Sequence, residues 1–428
     1  LVAVDPRIRA AAPVNMISST MQGGCICENA PILRLHNSNM EIGALMAPRP
    51  MIMVSATGDW TRETPHVEYP AIRSIYRLYG AEDRLSNVHV DAQHNYNLSS
   101  REAVYRFFGK YFLPGQDWSS FTEPAFTVPS DEQLRVLPEG VPEGLPDSAA
   151  IIAGIKERRR ALLDQLLPRN RQDAAAFSAQ YGSALGAVLG AENVGAGELA
   201  AERIDMEERD AHVFERWIIR HPQSGAAIPA YYFRAAAATP QDAVLLLDDD
   251  GKAAFTTSEE GAPGPLAEEL MAAGKAVLAI DPFIMGETRQ NRFKVGTFMD
   301  TFQPTDFGYQ VQDVLTALAF LRSRRDLTGD IAIVGLGSTG VTAILASAID
   351  GEAPITVADM DGFDFNSDAQ WVDRYYTPCI RSIGGLPAAA VQIATRDLYI
   401  ANSPAPLPFA NAIETLDTDS LAALLAGL

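Results

Sequence analysis

The sequence predicts an α/β protein with two lobes, each built on a mostly parallel, doubly wound sheet. Short, nearly continuous apolar runs alternate with helical patterns in both halves of the chain, as parallel strands buried on both faces require. The order strand, helix, strand, helix with short connections favours a doubly wound sheet. Two segments of the first lobe also recur in the second, which indicates that the lobes are copies of one fold.

The first lobe, residues 1–113, contains three predicted strands with helices between and after them. A helix is expected over about 67–79, because Gly80 is a suitable C-terminal cap. Another helix is expected to open at Ser99, where Ser-Ser-Arg-Glu reads as a capping box. The strands are expected at residues 8–14, 50–56 and 87–90.

Residues 114–200 are predicted to join the two lobes. The stretch from Pro114 to about Pro146 is rich in Pro, Glu and Ser and shows little periodicity, which is typical of an extended connection. Helices rich in Ala and Arg are expected to follow from Ser148, with a break at 168–171.

The second lobe, residues 201–428, repeats the strand and helix alternation. A helix with a core-facing apolar stripe is expected over 306–321. Strands are expected at residues 228–233, 243–247, 276–280, 331–334, 355–358 and 389–393.

The internal repeat sets the two lobes in register. Ala12-Pro-Val-Asn-Met16 resembles Ile355-Thr-Val-Ala-Asp359, and residues 47–55 resemble 394–402, at offsets of 343 and 347. On this register, everything that would match residues 228–340 falls before Leu1. The first lobe is therefore expected to lack its front half in this chain.

Composition argues against several classes of function. A formal net charge of −20 disfavours nucleic acid and strongly anionic ligands, since phosphate binding requires concentrated Lys and Arg. No run approaches the roughly eighteen apolar residues of a membrane helix, and the first residues form no signal peptide. The three cysteines make no disulfide framework, and Cys25 and Cys27 are interpreted as packed or loop-shaping thiols. No metal or cofactor is expected, because no second Cys or His cluster stands at zinc spacing.

Asp59 and His94 are the candidate catalytic residues of the first lobe. Each follows a predicted strand, and they stand 35 residues apart. An imidazole can take the proton of a weak hydroxyl nucleophile, and a carboxylate holds the imidazole in the required tautomer. A turn-capping aspartate and a loop histidine that bonds backbone are the structural alternatives. Asp91 lies only three residues before His94 and is expected to shape its loop.

The second lobe carries Gly335-Leu-Gly-Ser-Thr-Gly340 between a predicted strand and a helix, which is the context of a nucleophile elbow. If Gly335 is the first small residue, the nucleophile position falls on Gly337. If Ser338 is the nucleophile, Leu336 stands where the tight turn prefers a small side chain. No histidine follows Gly340, so the elbow is interpreted as degenerate. A dinucleotide loop is disfavoured, because the segment follows the fourth strand of its lobe.

Five stretches of the first lobe carry a resemblance to a known family: 3–15, 21–31, 47–50, 55–61 and 94–97. Through them, residues 1–113 resemble the C-terminal half of the acetyl xylan esterase and dienelactone hydrolase-like branch of the α/β-hydrolases. The second lobe resembles the same fold more loosely. The resemblance implies that Asp59 and His94 are the acid and base of a Ser-His-Asp triad that cleaves esters, often acetyl groups on plant polysaccharides.

The resemblance also implies a serine elbow and an oxyanion loop. The repeat register places that elbow roughly seven residues upstream of Leu1. An N-terminal chain that completes the first lobe is therefore a candidate partner, and the oligomeric state stays open. Secretion to an extracellular or periplasmic compartment is a family expectation.

Three further residues are candidates for substrate binding. Trp60 is interpreted either as a platform for a sugar ring or as a packing residue, and Glu28 and Asn29 are candidates for lining the pocket. The alternative function, from another class, is a non-catalytic scaffold or carbohydrate-binding protein derived from a hydrolase.

Overall fold

The computed structural model describes residues 2–20, 28–209, 211–237, 241–257, 261–289 and 298–425. The chain forms two compact units, Leu1–Leu145 and Pro146–Leu428. The domain boundaries expected at residues 113 and 200 stay predictions. Within the described stretches, every helix is too short or too polar to cross a membrane.

The first unit is a small α/β structure with two strands and four α-helices among its described residues. They are α1 Asn39–Ala44, β1 Met51–Gly58, α2 Glu68–Leu78, β2 Leu85–Gln93, α3 Leu98–Phe112 and α4 Asp131–Leu134. The helix predicted over 67–79 and the strands predicted over 50–56 and 87–90 are confirmed, with small changes of boundary.

Strands β1 and β2 pair in parallel, with Met51 opposite Leu85 and Val54 opposite Val88. Ala11 and Val14 form isolated parallel bridges to β1, so the strand predicted over 8–14 is present only as two bridges. Alternate residues of β1 face opposite sides of the sheet. One set packs with α2 and the other packs with α3, so β1 is buried on both faces.

The predicted capping box at Ser99 is wrong. Helix α3 begins at Leu98, and its N-cap is Asn97, whose side chain accepts the N–H of Ser100. Asparagine caps helices as well as serine does, and here Asn97 precedes the predicted Ser99 cap in the chain.

The second unit contains eight α-helices and nine strands among its described residues. In chain order they are α5 Ser148–Leu166, α6 Arg171–Leu189, β3 Glu202–Glu208, β4 His212–His221, β5 Ala226–Ala235, β6 Ala243–Leu247, α7 Pro265–Ala272, β7 Ala276–Ile280, α8 Asp306–Ser323, β8 Ile331–Gly335, α9 Thr339–Asp350, β9 Ile355–Asp359, α10 Asp368–Arg374, α11 Gly385–Ile393, β10 Asp397–Ala401, β11 Asn411–Ala412 and α12 Thr418–Leu425.

These strands form one sheet in the order β11-β10-β9-β8-β6-β7-β5-β4-β3. The pairs from β3 to β5 and the pair β5–β7 are antiparallel, and the other pairs are parallel. Every residue of β6, β7 and β8 is buried, so the centre of the sheet is covered on both faces. The unit is therefore an α/β structure, as predicted.

One predicted strand of this unit is wrong. Residues 389–393 belong to helix α11, and the strand lies at β10 instead. A short apolar run does not distinguish a buried strand from a buried helix, and the alanines of this run favour the helix. The repeat had matched residues 394–402 to the segment that forms β1, which is where the strand is found.

The strand register is consistent with the predicted repeat. In the first unit Ala11 pairs with Met51, and in the second Ile355 pairs with Asp397. The paired residues are 40 apart in the chain in the first unit (51 − 11) and 42 apart in the second (397 − 355), so the separations differ by two residues, where the sequence offsets predict four (347 − 343).

The buried carboxyl of Asp313 on α8 predicts a pH dependence of stability. Burial raises its pKa to about 7, although Oδ2 accepts the N–H of Phe283 at 2.8 Å. The unfolded chain releases this proton near pH 4, and the folded chain keeps it until about pH 7. The free energy of unfolding therefore falls as the pH rises from about 4 to about 7. Asp313→Asn keeps the acceptor and should stabilise the protein by up to about 4 kcal/mol above pH 7.

Urea unfolding of Asp313→Asn and wild type at pH 5 and pH 8 checks this prediction. The variant's advantage should be present at pH 8 and much smaller at pH 5. The exposed Asp373→Asn is the control and should show no such difference. An equal effect of Asp313→Asn at both pH values would contradict the prediction.

Candidate active site

The candidate site lies at the carboxyl ends of β1 and β2. Asp59 follows β1 directly, and His94 follows β2 directly. Because the two strands are parallel, their carboxyl ends meet at one edge of the sheet. Nδ1 of His94 lies 3.1 Å from Oδ2 of Asp59, so the structure brings together the two residues that the sequence had paired.

The carboxylate of Asp59 is buried and held at both oxygens. Its side chain is 1 % exposed. Oδ1 accepts the backbone N–H of Thr61 at 2.6 Å and also the Thr61 hydroxyl hydrogen, which leaves Oδ2 for His94. The Thr61 hydroxyl oxygen in turn accepts the N–H of Ala56, inside β1, at 3.0 Å. The carboxylate orientation is thus set by the end of the strand itself.

The imidazole of His94 is half exposed, at 53 % of its side chain. With Nδ1–H donating to the buried carboxylate, the neutral ring presents Nε2 as a proton acceptor. No described residue hydrogen bonds Nε2, so this nitrogen is accessible to a reacting group. This arrangement is the geometry of a general base held by an acid.

The indole of Trp60 lies against the His94 ring, with ring centroids 4.6 Å apart and an angle of 38° between planes. Its Nε1–H donates to the Asn15 carbonyl at 2.8 Å. Trp60 therefore packs on the histidine, which favours the packing interpretation, and a sugar-stacking role stays a prediction.

Glu28 and Asn29 are not among the contacts of Asp59 and His94 given above. The Glu28 carbonyl oxygen accepts a hydrogen bond from Nη2 of Arg34 at 2.7 Å, and Asn29 is buried. Their role in lining the pocket stays a prediction. The predicted Cys25 and Cys27 pair lies outside the described residues.

Sequence reasoning missed Thr61 and placed Asp91 imprecisely. Thr61 is two residues after Asp59, a spacing at which an aspartate side chain commonly accepts the backbone N–H, so this signal was available. Asp91, expected on the loop with His94, belongs to β2, which runs to Gln93. Among the described residues, no group of three or more His, Cys, Asp and Glu side chains could hold a metal ion.

The elbow of the second unit connects β8 to α9. Gly337 has a φ of +58°, and Ser338 has helical backbone angles at the start of α9. The nucleophile of an elbow sits on a strained turn, so the positive φ favours Gly337 as the nucleophile position. Gly335 and Gly340 allow close backbone approach, since a Cβ on Gly340 would lie 1.9 Å from the Asp359 carbonyl oxygen.

Asp249, which follows β6, binds this elbow. Its Oδ2 accepts the Ser338 N–H at 3.1 Å, and its Oδ1 accepts the Ser338 hydroxyl hydrogen. A Cβ on Gly337 would lie 2.4 Å from Oδ2 of Asp249. The second unit therefore places a carboxylate against the elbow where a serine side chain would stand.

Gly337→Ser is expected to destabilise the protein by about 1–2 kcal/mol from the left-handed backbone, and further because the Asp249 carboxylate must move off the Ser338 N–H to make room. Gly351→Ser is the matched control, because Gly351 also has a positive φ, of +77°, and a Cβ there would meet no atom within 4 Å. Asp249→Ala should recover part of the Gly337→Ser loss, as a double-mutant cycle in urea would show. Equal losses of unfolding free energy in Gly337→Ser and Gly351→Ser would show that the Asp249 carboxylate does not oppose a side chain at position 337.

Comparison with known proteins gives structural likeness only. No protein-family model matches this chain. No curated protein matches it.

Solved structures of esterases are similar to it. A Bacteroides fragilis protein described as an acetyl xylan esterase is 14% identical, with 61% of this chain and 77% of that chain covered and a TM-score of 0.45. A glucuronoyl esterase from Solibacter usitatus is 16% identical, with 55% of this chain and 76% of that chain covered and a TM-score of 0.40. Acetyl xylan esterase 1 from Thermoanaerobacterium sp. is 12% identical, with 62% of this chain and 96% of that chain covered and a TM-score of 0.37. This chain is similar in structure to these esterases at low sequence identity.

Proposed function

We propose that the protein is a serine ester hydrolase in which Asp59 orients His94 and His94 acts as the general base. The observation that carries the proposal is the pair itself: a buried carboxylate bonded at 3.1 Å to a half-exposed imidazole at the ends of adjacent parallel strands. An isolated turn-capping aspartate needs no histidine partner, and a loop histidine that bonds backbone needs no buried carboxylate. The contact therefore favours catalysis over both structural alternatives.

In the proposed reaction, a serine Oγ attacks the ester carbonyl carbon while Nε2 of His94 takes the hydroxyl proton. The imidazolium is stabilised by the Asp59 carboxylate, and it returns its proton to the leaving alcohol oxygen as the acyl-enzyme forms. A water then repeats the sequence and releases the acid. We propose, from the resemblance of residues 1–113, that the nucleophilic serine lies upstream of Leu1. The oxyanion loop is proposed to belong to the same segment.

The proposed substrate is a neutral acyl ester, with an acetyl group on a plant carbohydrate as the first candidate. Support comes from the sequence resemblance over residues 1–113 and from the net charge of −20, which disfavours polyanionic ligands. From the same resemblance, we propose an extracellular or periplasmic location.

The second unit is proposed to be a degenerate, structural copy of the same fold. Three triad positions support this. The elbow has Gly337 at the nucleophile position, offsets of 346 or 347 put Ala405 or Pro406 at the acid position, and no histidine follows His221 in the sequence to take the base position. The Ser338 N–H, which would serve an oxyanion hole, is bonded to the Asp249 carboxylate.

A fluorophosphonate probe on the full-length protein tests the proposal. Labelling of one serine, located by peptide mapping and different from Ser338, is the expected result. The control is the same protein heated before the probe is added. Binding to acetylated polysaccharide without any labelling would support the alternative, a carbohydrate-binding protein that no longer cleaves. Labelling at Ser338 would contradict the degenerate copy.

A further inference from the structure

Asn15 lies at the carboxyl end of the short bridge segment beside β1. It is 2 % exposed and has a φ of +54°. Asparagine tolerates this left-handed conformation better than most residues that carry a side chain. The main chain is fixed there, because the Asn15 N–H donates to the Val54 carbonyl at 2.8 Å.

Two further hydrogen bonds join Asn15 to the two neighbours of His94, the Trp60 ring and the Asn95 backbone. Its carbonyl accepts the indole N–H of Trp60 at 2.8 Å, and Trp60 lies against the imidazole ring. Its side-chain Nδ2 donates to the carbonyl of Asn95, the residue after His94, at 3.0 Å. One residue thus binds both the ring that supports the histidine and the backbone that follows it.

The amide orientation follows from its partner. The Asn95 carbonyl can only accept, so the NH2 group of Asn15 must face it. This leaves Oδ1 buried, with no hydrogen-bond partner among the described residues. The side chain therefore meets the His94 loop through its donor, Nδ2.

We propose that Asn15 is a positioning residue for His94, holding the imidazole between the Asp59 carboxylate and the Trp60 ring. It acts through Trp60 and Asn95 and touches no reacting atom. The inference rests on the proposed function for its catalytic consequence, but the position of the imidazole is measurable without turnover.

Asn15→Gly is the main test variant, because glycine keeps the left-handed backbone and the carbonyl that accepts the Trp60 N–H, while it removes the side chain that donates to Asn95. Asn402→Gly is the matched control: Asn402 also has a positive φ, of +51°, directly after β10, and its Nδ2 donates to Asp359 at 2.8 Å. Trp60→Phe is the second test variant, since it keeps an aromatic ring and removes the N–H that Asn15 accepts.

The first readout is the tautomer and ring environment of His94 in protein labelled with ¹⁵N-histidine. Both are measured by long-range ¹H–¹⁵N correlation between the carbon-bound ring protons and the ring nitrogens. Wild type should show His94 as a single Nδ1–H tautomer. Asn15→Gly should shift or broaden the His94 signals and leave the other five histidines unchanged. Asn402→Gly should leave all six unchanged.

The second readout is kcat and KM on 4-nitrophenyl acetate. Asn15→Gly and Trp60→Phe should each lower kcat by about 10- to 100-fold with little change of KM, as misplacement of a catalytic group does. His94 signals identical to wild type in Asn15→Gly, in protein that is folded by circular dichroism, would overturn the proposal. If wild type itself shows no turnover, the esterase function fails, and the histidine spectrum still decides the role of Asn15.

Discussion

Replacing His94 with alanine is expected to lower kcat on 4-nitrophenyl acetate by about 10³-fold or more, with a much smaller change in KM. The reason is geometric: the contact from Nδ1 to Asp59 leaves Nε2 as the proton acceptor, and alanine removes it. Steady-state kinetics of the full-length protein measures the effect.

His66→Ala is the matched control for this prediction. His66 is an exposed histidine of the same unit, and its side chain takes no part in the contacts of Asp59. It should retain wild-type kcat and stability. Unchanged turnover in His94→Ala would remove His94 from the mechanism, and with it the assignment of Asp59.

Asp59→Asn is expected to lower kcat by about 10³- to 10⁴-fold while leaving the fold intact. The amide is nearly isosteric, so the bond from the Thr61 N–H can remain. However, an amide NH2 facing Nδ1 favours the tautomer that carries its proton on Nε2, and that tautomer cannot act as a base. The ¹⁵N spectrum of His94 should show this change of tautomer alongside the loss of kcat.

Asp91→Asn is the control, because Asp91 is the other carboxylate close to His94 in sequence but belongs to β2. It should lower kcat less than tenfold. A larger loss in Asp91→Asn than in Asp59→Asn would reverse the assignment of the acid. In the double variant of Asp59 and His94, the loss should be close to that of His94→Ala alone, since an acid that acts through the base has no further effect without it.

The fold class and the order of most elements follow from local patterns in the sequence. Buried parallel strands such as β6 and β7 are short apolar runs between helix signals, and their predicted bounds agree with the structure. The same reasoning failed for residues 389–393, because an apolar run of five residues has no period long enough to separate strand from helix. It also missed β3, whose side chains are mostly exposed and charged.

The sequence by itself determined which residue types stand after β1 and β2, and parallel pairing then brings Asp59 and His94 to one edge of the sheet. Only the tertiary structure decided which further groups meet them. Asn15 and Asn95 are 80 residues apart in the chain, and Ser338 and Asp249 are 89 apart, so no local pattern relates the members of either pair. Their contacts depend on how the sheet orders its strands and on the left-handed backbone of Asn15 and Gly337, which the folded core imposes.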